Sequence, residues 1–156
     1  FWAWLFSPYQ FRPTPSLAVD IIVECPNNKI LLIQRKYHPA GVALPGGFVE
    51  IGEPVEFAAV RELKEETNLH ASIADCEQYH FYSDPARDPR GHTASVAFIC
   101  KLDQCEQAEA GDDAAAIEFF NEKEIPWKYM VFDHGVILRD YFAKQYPRWS
   151  WLETAP

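Results

Sequence analysis

Three glutamates, Glu62, Glu65 and Glu66, stand close together in the run Arg61-Glu62-Leu63-Lys64-Glu65-Glu66. On a helix their i, i+3 and i+4 spacing puts all three carboxylates on one face. Like charges at that spacing repel by roughly a few tenths of a kcal/mol per pair on a solvated helix, and by more where they are partly enclosed. Oxygen ligands of this kind suit Mg²⁺ or Mn²⁺, hard cations that join protein carboxylates to substrate phosphates. The plainer alternative is an acidic face turned to water. Two features weigh toward metal chemistry. The turn Leu44-Pro45-Gly46-Gly47 ahead of the helix can bring backbone amides and carbonyls close to a ligand, and Arg61 is placed to pair with Glu53 and steer its neighbours.

The elements around this stretch can be read from periodicity. Glu53 and Pro54 are expected in the first turn of the helix, with Phe57, Ala58, Ala59, Val60 and Leu63 on its buried side. Ser16 to Glu24 alternates as a strand, Pro26 to Lys29 makes a hairpin turn, and Ile30 to Arg35 returns as a second strand. Beyond the helix, His70 to Ser83 reads as a long irregular strand, Thr93 to Leu102 as another and Ile117 to Asn121 as a short one. Glu122 to Pro126 predicts a turn of helix. The last helix starts at Asp133 or His134 and repeats Val136, Ile137, Tyr141 and Phe142 at helical spacing, with His134 read as a capping or packing residue.

A length of 156 residues, 48% of them hydrophobic, suits one domain with a real core. Its bounds are set at residues 16–147, after an aromatic arm over 1–15 and before a tail over 148–156. The arm's aromatics are expected to pack on the domain itself or to reach a partner subunit or a base, which leaves a homodimer open. A net charge of −9 argues against nucleic acid as a partner, because that binding neutralises phosphates with Lys and Arg. No apolar run approaches a membrane span. Cys25, Cys76, Cys100 and Cys105 form no Cys-x-x-Cys pair, so zinc is not expected and reduced thiols of a cytoplasmic protein are.

A second polar stretch runs Ser83-Asp84-Pro85-Ala86-Arg87-Asp88-Pro89-Arg90-Gly91-His92. Two prolines and a glycine forbid regular structure there, while two Arg, two Asp and a His crowd one loop. It reads either as a surface hairpin or as a substrate-recognition loop. Arg35 or Lys36 could lie beside a bound phosphate, or serve as an ordinary surface base.

The stretch from Gly47 to Leu69 resembles the Nudix box. The match runs Gly47, Glu53, Arg61, Glu62, Leu63, Glu65, Glu66 and Leu69, with Asn68 where the pattern has Gly. Asn is the next most tolerant residue of the left-handed conformation at a helix end. The resemblance implies an α/β fold, the Nudix-type α/β/α sandwich with a mixed β-sheet between helices. It also implies a metal-dependent pyrophosphohydrolase in which Glu62, Glu65, Glu66 and the Gly46 carbonyl hold Mg²⁺ or Mn²⁺, with Arg61 and Glu53 keeping the ligands in place. Pro85 stands sixteen residues beyond Leu69, as in members that hydrolyse ADP-ribose. The phrase Asp84 to His92, Leu44 to Val49 and Phe132-Asp133-His134 are likewise similar to the ADP-ribose pyrophosphatase-like branch.

That branch implies a small nucleotide substrate, ADP-ribose giving AMP and ribose 5-phosphate, with Arg35, Pro85, Arg87, Arg90 and His92 as substrate-binding candidates. Related enzymes complete the site with a loop acid six residues before an aromatic of the last strand. Asp113 stands six before Phe119, where it would bind a second metal or take a proton from water; a capping Asp is the competing reading. Two other functions stay open: hydrolysis of damaged nucleoside triphosphates releasing pyrophosphate, and a non-catalytic nucleotide sensor.

Overall fold

The computed structural model describes residues 13–144, so most of the expected arm and all of the expected tail lie outside the described residues. Seven strands form one mixed sheet: β1 (Ser16–Cys25), β2 (Lys29–Arg35), β3 (Val42–Ala43), β4 (Gly46–Phe48), β5 (Cys76–Tyr82), β6 (Thr93–Lys101) and β7 (Ala114–Phe120). The main path runs β3-β2-β1-β6-β5, with β4 also on β1 and β7 also on β2. Only the β1–β6 pair is parallel among these strand pairs; the others are antiparallel.

Two helices cover the sheet from opposite sides, α1 (Val55–Thr67) and α2 (His134–Phe142). Alternate residues of the central strands explain this. Val19, Ile21 and Val23 pack with Leu31, Ile33 and the α1 residues Ala58, Ala59 and Leu63. Ile22, Ile30 and Leu32 face the other way, onto Ile137 and Leu138 of α2. Burial of each such Leu or Ile side chain stabilises by about 1.5–3 kcal/mol. This is the α/β/α sandwich that the sequence predicts.

Several boundaries shift for physical reasons. Pro54 has extended backbone and caps α1, so the helix starts at Val55 rather than at Glu53. Asn68 ends it in the left-handed conformation, with φ of 55°. Phe57 is exposed, because it points away from the face of the helix that buries Ala58, Ala59 and Leu63. Val136 is exposed too, and the buried pair of α2 is Ile137 and Leu138. β5 is shorter than expected because Ser72 and Asp75 close a capping box around a turn of 3-10 helix over Ile73–Asp75. The glycines of the Gly46-Gly47 turn join the sheet, opposite Asp20 and Val19.

The expectation of reduced thiols is corrected. Cys25 is bonded to Cys105, and Cys76 to Cys100. Cys76 and Cys100 are register partners across β5 and β6, a neighbourhood that a separation of 24 residues conceals in the chain. No helix of the described residues is long and apolar enough to cross a membrane.

Candidate active site

The acidic face of α1 is organised by one guanidinium. Arg61 donates from Nε and Nη2 to the two oxygens of Glu53 at 2.8 and 2.9 Å. Its Nη1 reaches Glu62 at 2.8 Å and Glu65 at 3.0 Å, and Nη2 also donates to the Phe48 carbonyl. Hydrogen bonds from Arg61 hold the Glu53 carboxyl down at about 2. Glu62, by contrast, is pushed up, because burial outweighs the pull of Arg61.

Glu66 receives no such partner. Its carboxylate accepts the Gly46 N–H at 2.9 Å, and its residue is 4% exposed. Burial, with Glu62 and Asp113 nearby, pushes its carboxyl up to about 8 against the opposing pull of the Gly46 N–H and Arg35. Two enclosed carboxyls raised together, offering only oxygen donors, fit a hard divalent cation. Arg61 cannot stand in for it, being divided among Glu53, Glu62 and Glu65.

A narrow cleft opens beside this face, lined by Gly46, Gly47 and Phe48 of β4, Arg35, Arg87 and Arg90, and Phe132. Arg90 is held flat by a two-pronged ion pair to Asp88, and its guanidinium carbon lies 5.6 Å from the Phe48 ring centre and 5.0 Å from that of Phe132. Arg35 approaches the same Phe132 ring at 5.1 Å and donates Nε to the Pro39 carbonyl. Phe132 is held at φ of 55°, a costly conformation for a bulky residue that concentrates at functional sites. A larger hollow among the described residues, between the Asn27–Lys29 turn and Tyr141, shares no lining residue with this cleft.

The buried side of the cleft wall is a hydrogen-bonded network that includes Asp20, Leu44, Arg87 and His134. Leu44 N–H donates to His134 Nδ1 at 2.9 Å, which leaves the proton on Nε2 to be donated to Asp20 at 3.1 Å. Asp20 accepts from Arg87 at 2.8 Å, and Arg87 grips Asp133 through Nε and Nη2 at 2.9 and 2.6 Å. Burial would raise the Asp20 carboxyl, but His134 and Arg87 outweigh it and hold it well below the usual carboxylate range.

A NUDIX domain model matches residues 14–141. The chain belongs to the Nudix family. It is 48% identical over 135 residues to an ADP-ribose pyrophosphatase of Methanocaldococcus jannaschii, covering 85% of this chain and 76% of that protein. A MutT/nudix family protein of Enterococcus faecalis superposes with TM-score 0.79 at 32% identity, covering 91% of this chain and 66% of that one. A bifunctional NMN adenylyltransferase/ADP ribose pyrophosphatase of Francisella tularensis, complexed with AMP and a Mn ion, superposes with TM-score 0.74 at 32% identity. There 90% of this chain is covered but 44% of the other, so the Nudix chain corresponds to less than half of that protein.

Of the residues singled out from the sequence, this Nudix fold brings Gly46, Glu53, Arg61, Glu62, Glu65 and Glu66 to one place. Asp113 joins them, close enough to raise Glu66 and to attract Arg90. Its loop is tied to α1 by Gly111 N–H donating to the Glu66 carbonyl at 3.0 Å, and to the residue after β2, Lys36, whose Nζ donates to the Asp112 carbonyl at 2.6 Å. Arg35 and Arg90 line the cleft. Arg87 is also in its wall, but its guanidinium is 4% exposed and engaged with Asp20 and Asp133. Pro85 and His92 are exposed and do not line the cleft. Sequence reasoning gave Asp20, Phe48 and Phe132 no role in the site. An aspartate inside an otherwise apolar buried strand was the one available signal for Asp20.

Proposed function

We propose that this Nudix pyrophosphohydrolase cleaves the diphosphate bridge of a nucleoside diphosphate linked to another group, with ADP-ribose as its substrate and AMP and ribose 5-phosphate as products. The observation that carries the reading is Glu66, a buried carboxyl raised by its surroundings and anchored on Gly46, which lines the arginine-rich cleft. The 48% identity to an ADP-ribose pyrophosphatase supports the substrate class.

Glu62 and Glu66 would hold Mg²⁺ or Mn²⁺, with Glu65 and the Gly46 carbonyl as further ligands. When bound, the cation supplies positive charge against the pyrophosphate oxygens, the main requirement of phosphoryl transfer. Arg61 keeps the carboxylates in register through its shared hydrogen bonds. Asp113, on its tethered loop, takes the proton from the attacking water. Arg35, beside Glu66, meets the pyrophosphate, while Arg90 and the Phe48 and Phe132 rings offer a flat surface to the nucleoside or the terminal ribose.

Incubation with ADP-ribose and Mg²⁺, followed by chromatography of the products, tests the proposal directly. AMP and ribose 5-phosphate should appear, and Glu66→Gln should abolish most of the turnover. Preference for nucleoside triphosphates with release of pyrophosphate, or tight ADP-ribose binding without turnover, would replace this reading with one of its rivals.

A further inference from the structure

The Asp20, His134, Arg87 and Asp133 network has no part in the chemistry above, yet its ligating atoms converge. Single polar atoms of Asp20, Asp133 and His134 all lie within 4.8 Å of one another, the arrangement of a small metal site. Their hydrogen bonds argue for another role. His134 Nδ1 is committed to the Leu44 N–H, Nε2 to Asp20, and Arg87 bonds to both carboxylates, so the atoms that would ligate an ion already have hydrogen-bond partners.

The network ends on the turn that holds Glu66. Leu44 N–H donates to His134, the Pro45 carbonyl accepts Ile21 N–H at 2.8 Å, and Gly46 N–H donates to Glu66 at 2.9 Å. Three consecutive residues are thus fixed, the first by His134, the second by β1 and the third by the metal-site carboxylate itself. Asp20 enters twice, since it orients the His134 ring and sits opposite Gly46 in the β1–β4 register. There is no slack at that point: a side-chain carbon on Gly46 would run into the Val19 carbonyl and the Asp20 backbone.

We propose that Asp20 and His134 are positioning residues: they fix the Leu44–Gly46 turn from behind and, through the Gly46 N–H, set where the Glu66 carboxylate meets the divalent cation. Both lie in the cleft wall, but they are buried and their polar atoms are spent within the network. The proposal rests on the metal-site reading given above. Disrupting a network that served only to stabilise the fold would lower the melting temperature and leave cation affinity alone.

Mn²⁺ binding in the absence of substrate, read from the EPR signal of the free ion, separates these roles. Asp20→Asn and His134→Phe should each weaken Mn²⁺ by about 10- to 100-fold, the usual effect of removing a group that orients a ligand. Under Mg²⁺, kcat should fall with little change in KM for ADP-ribose. His134→Gln, whose side-chain oxygen can accept the Leu44 N–H, should recover part of both. Folded variants, by circular dichroism at the assay temperature, that bind Mn²⁺ like the parent would overturn the proposal. If both fail to fold, Asp133→Asn loosens the partly exposed end of the network; weakened Mn²⁺ binding there supports the coupling and unchanged binding refutes it. Glu66→Gln is the reference. Parent-like Mn²⁺ affinity in that variant would sink the metal-site reading itself, a different failure from loss of the coupling alone.

Discussion

Gly47 faces Glu62 so closely that a side-chain carbon added at Gly47 would overlap the carboxyl carbon and both oxygens of that glutamate. The glycine is therefore a steric condition of the acidic site, not only a turn residue. Gly52 provides the contrast, with φ of 86° and open space where a side chain would go.

Gly47→Ala should lower kcat by about 10- to 100-fold by displacing Glu62. The displaced group is the far end of a flexible side chain, so the melting temperature should barely change. Gly52→Ala should do the reverse, costing about 1 kcal/mol of backbone strain with unchanged kcat. Equal kcat in the two variants would show that Glu62 has no fixed place to keep.

Glu66 gives a pH dependence. Its carboxyl is raised from 4.5 to about 8 in the metal-free fold, so the folded state binds that proton more tightly than the unfolded chain. The corresponding stability is fully present below about pH 4.5 and is lost as pH rises through about 8. Metal-free protein should melt at progressively lower temperature over that window, relative to Glu66→Gln. Added Mg²⁺ should restore more stability at pH 8 than at pH 6, because the cation competes with the proton. Parallel melting profiles for the two proteins would contradict the assignment.

Gly111 bears on the loop that carries Asp113. A side-chain carbon there would strike the Glu65 backbone carbonyl, which cannot swing aside as a side chain can. Gly111→Ala should cost about 1–3 kcal/mol and, by moving Asp113, reduce kcat as well. Thermal melts and initial rates on the same preparation check both halves; stability lost with kcat intact would detach Asp113 from the chemistry.

Phe48 is 48% exposed, with Arg90 beside its ring. If the pair meets the nucleoside or the terminal ribose, Phe48→Ala should raise KM for ADP-ribose by about 3- to 10-fold and leave kcat nearly unchanged. A fall in kcat at constant KM would place Phe48 in support of Arg61, which donates to its carbonyl.

The acidic helix was readable because its chemistry is local: periodicity alone puts Glu62, Glu65 and Glu66 on one face, and Arg61 lies one residue away. The strands were readable for the same reason. Arg87 was not. It looked like a substrate-binding residue within a polar loop, but its partners Asp20 and Asp133 lie 67 and 46 residues away and only the fold assembles them. The cysteines fail in the same manner, since Cys25 and Cys105 are separated by 80 residues. Phe132 was noted only within a resembling tripeptide and given no role, because nothing in its sequence neighbourhood signals a left-handed aromatic between two arginines.

The Cys25–Cys105 bond also bears on turnover. Between that anchor and β7, the segment is secured again where Glu109 and Gly111 donate to the carbonyls of Thr67 and Glu66. Asp113 is thereby delivered at the end of a strut rather than on a lid. The entropy of ordering that wall is spent once, when the chain folds, instead of on each catalytic cycle.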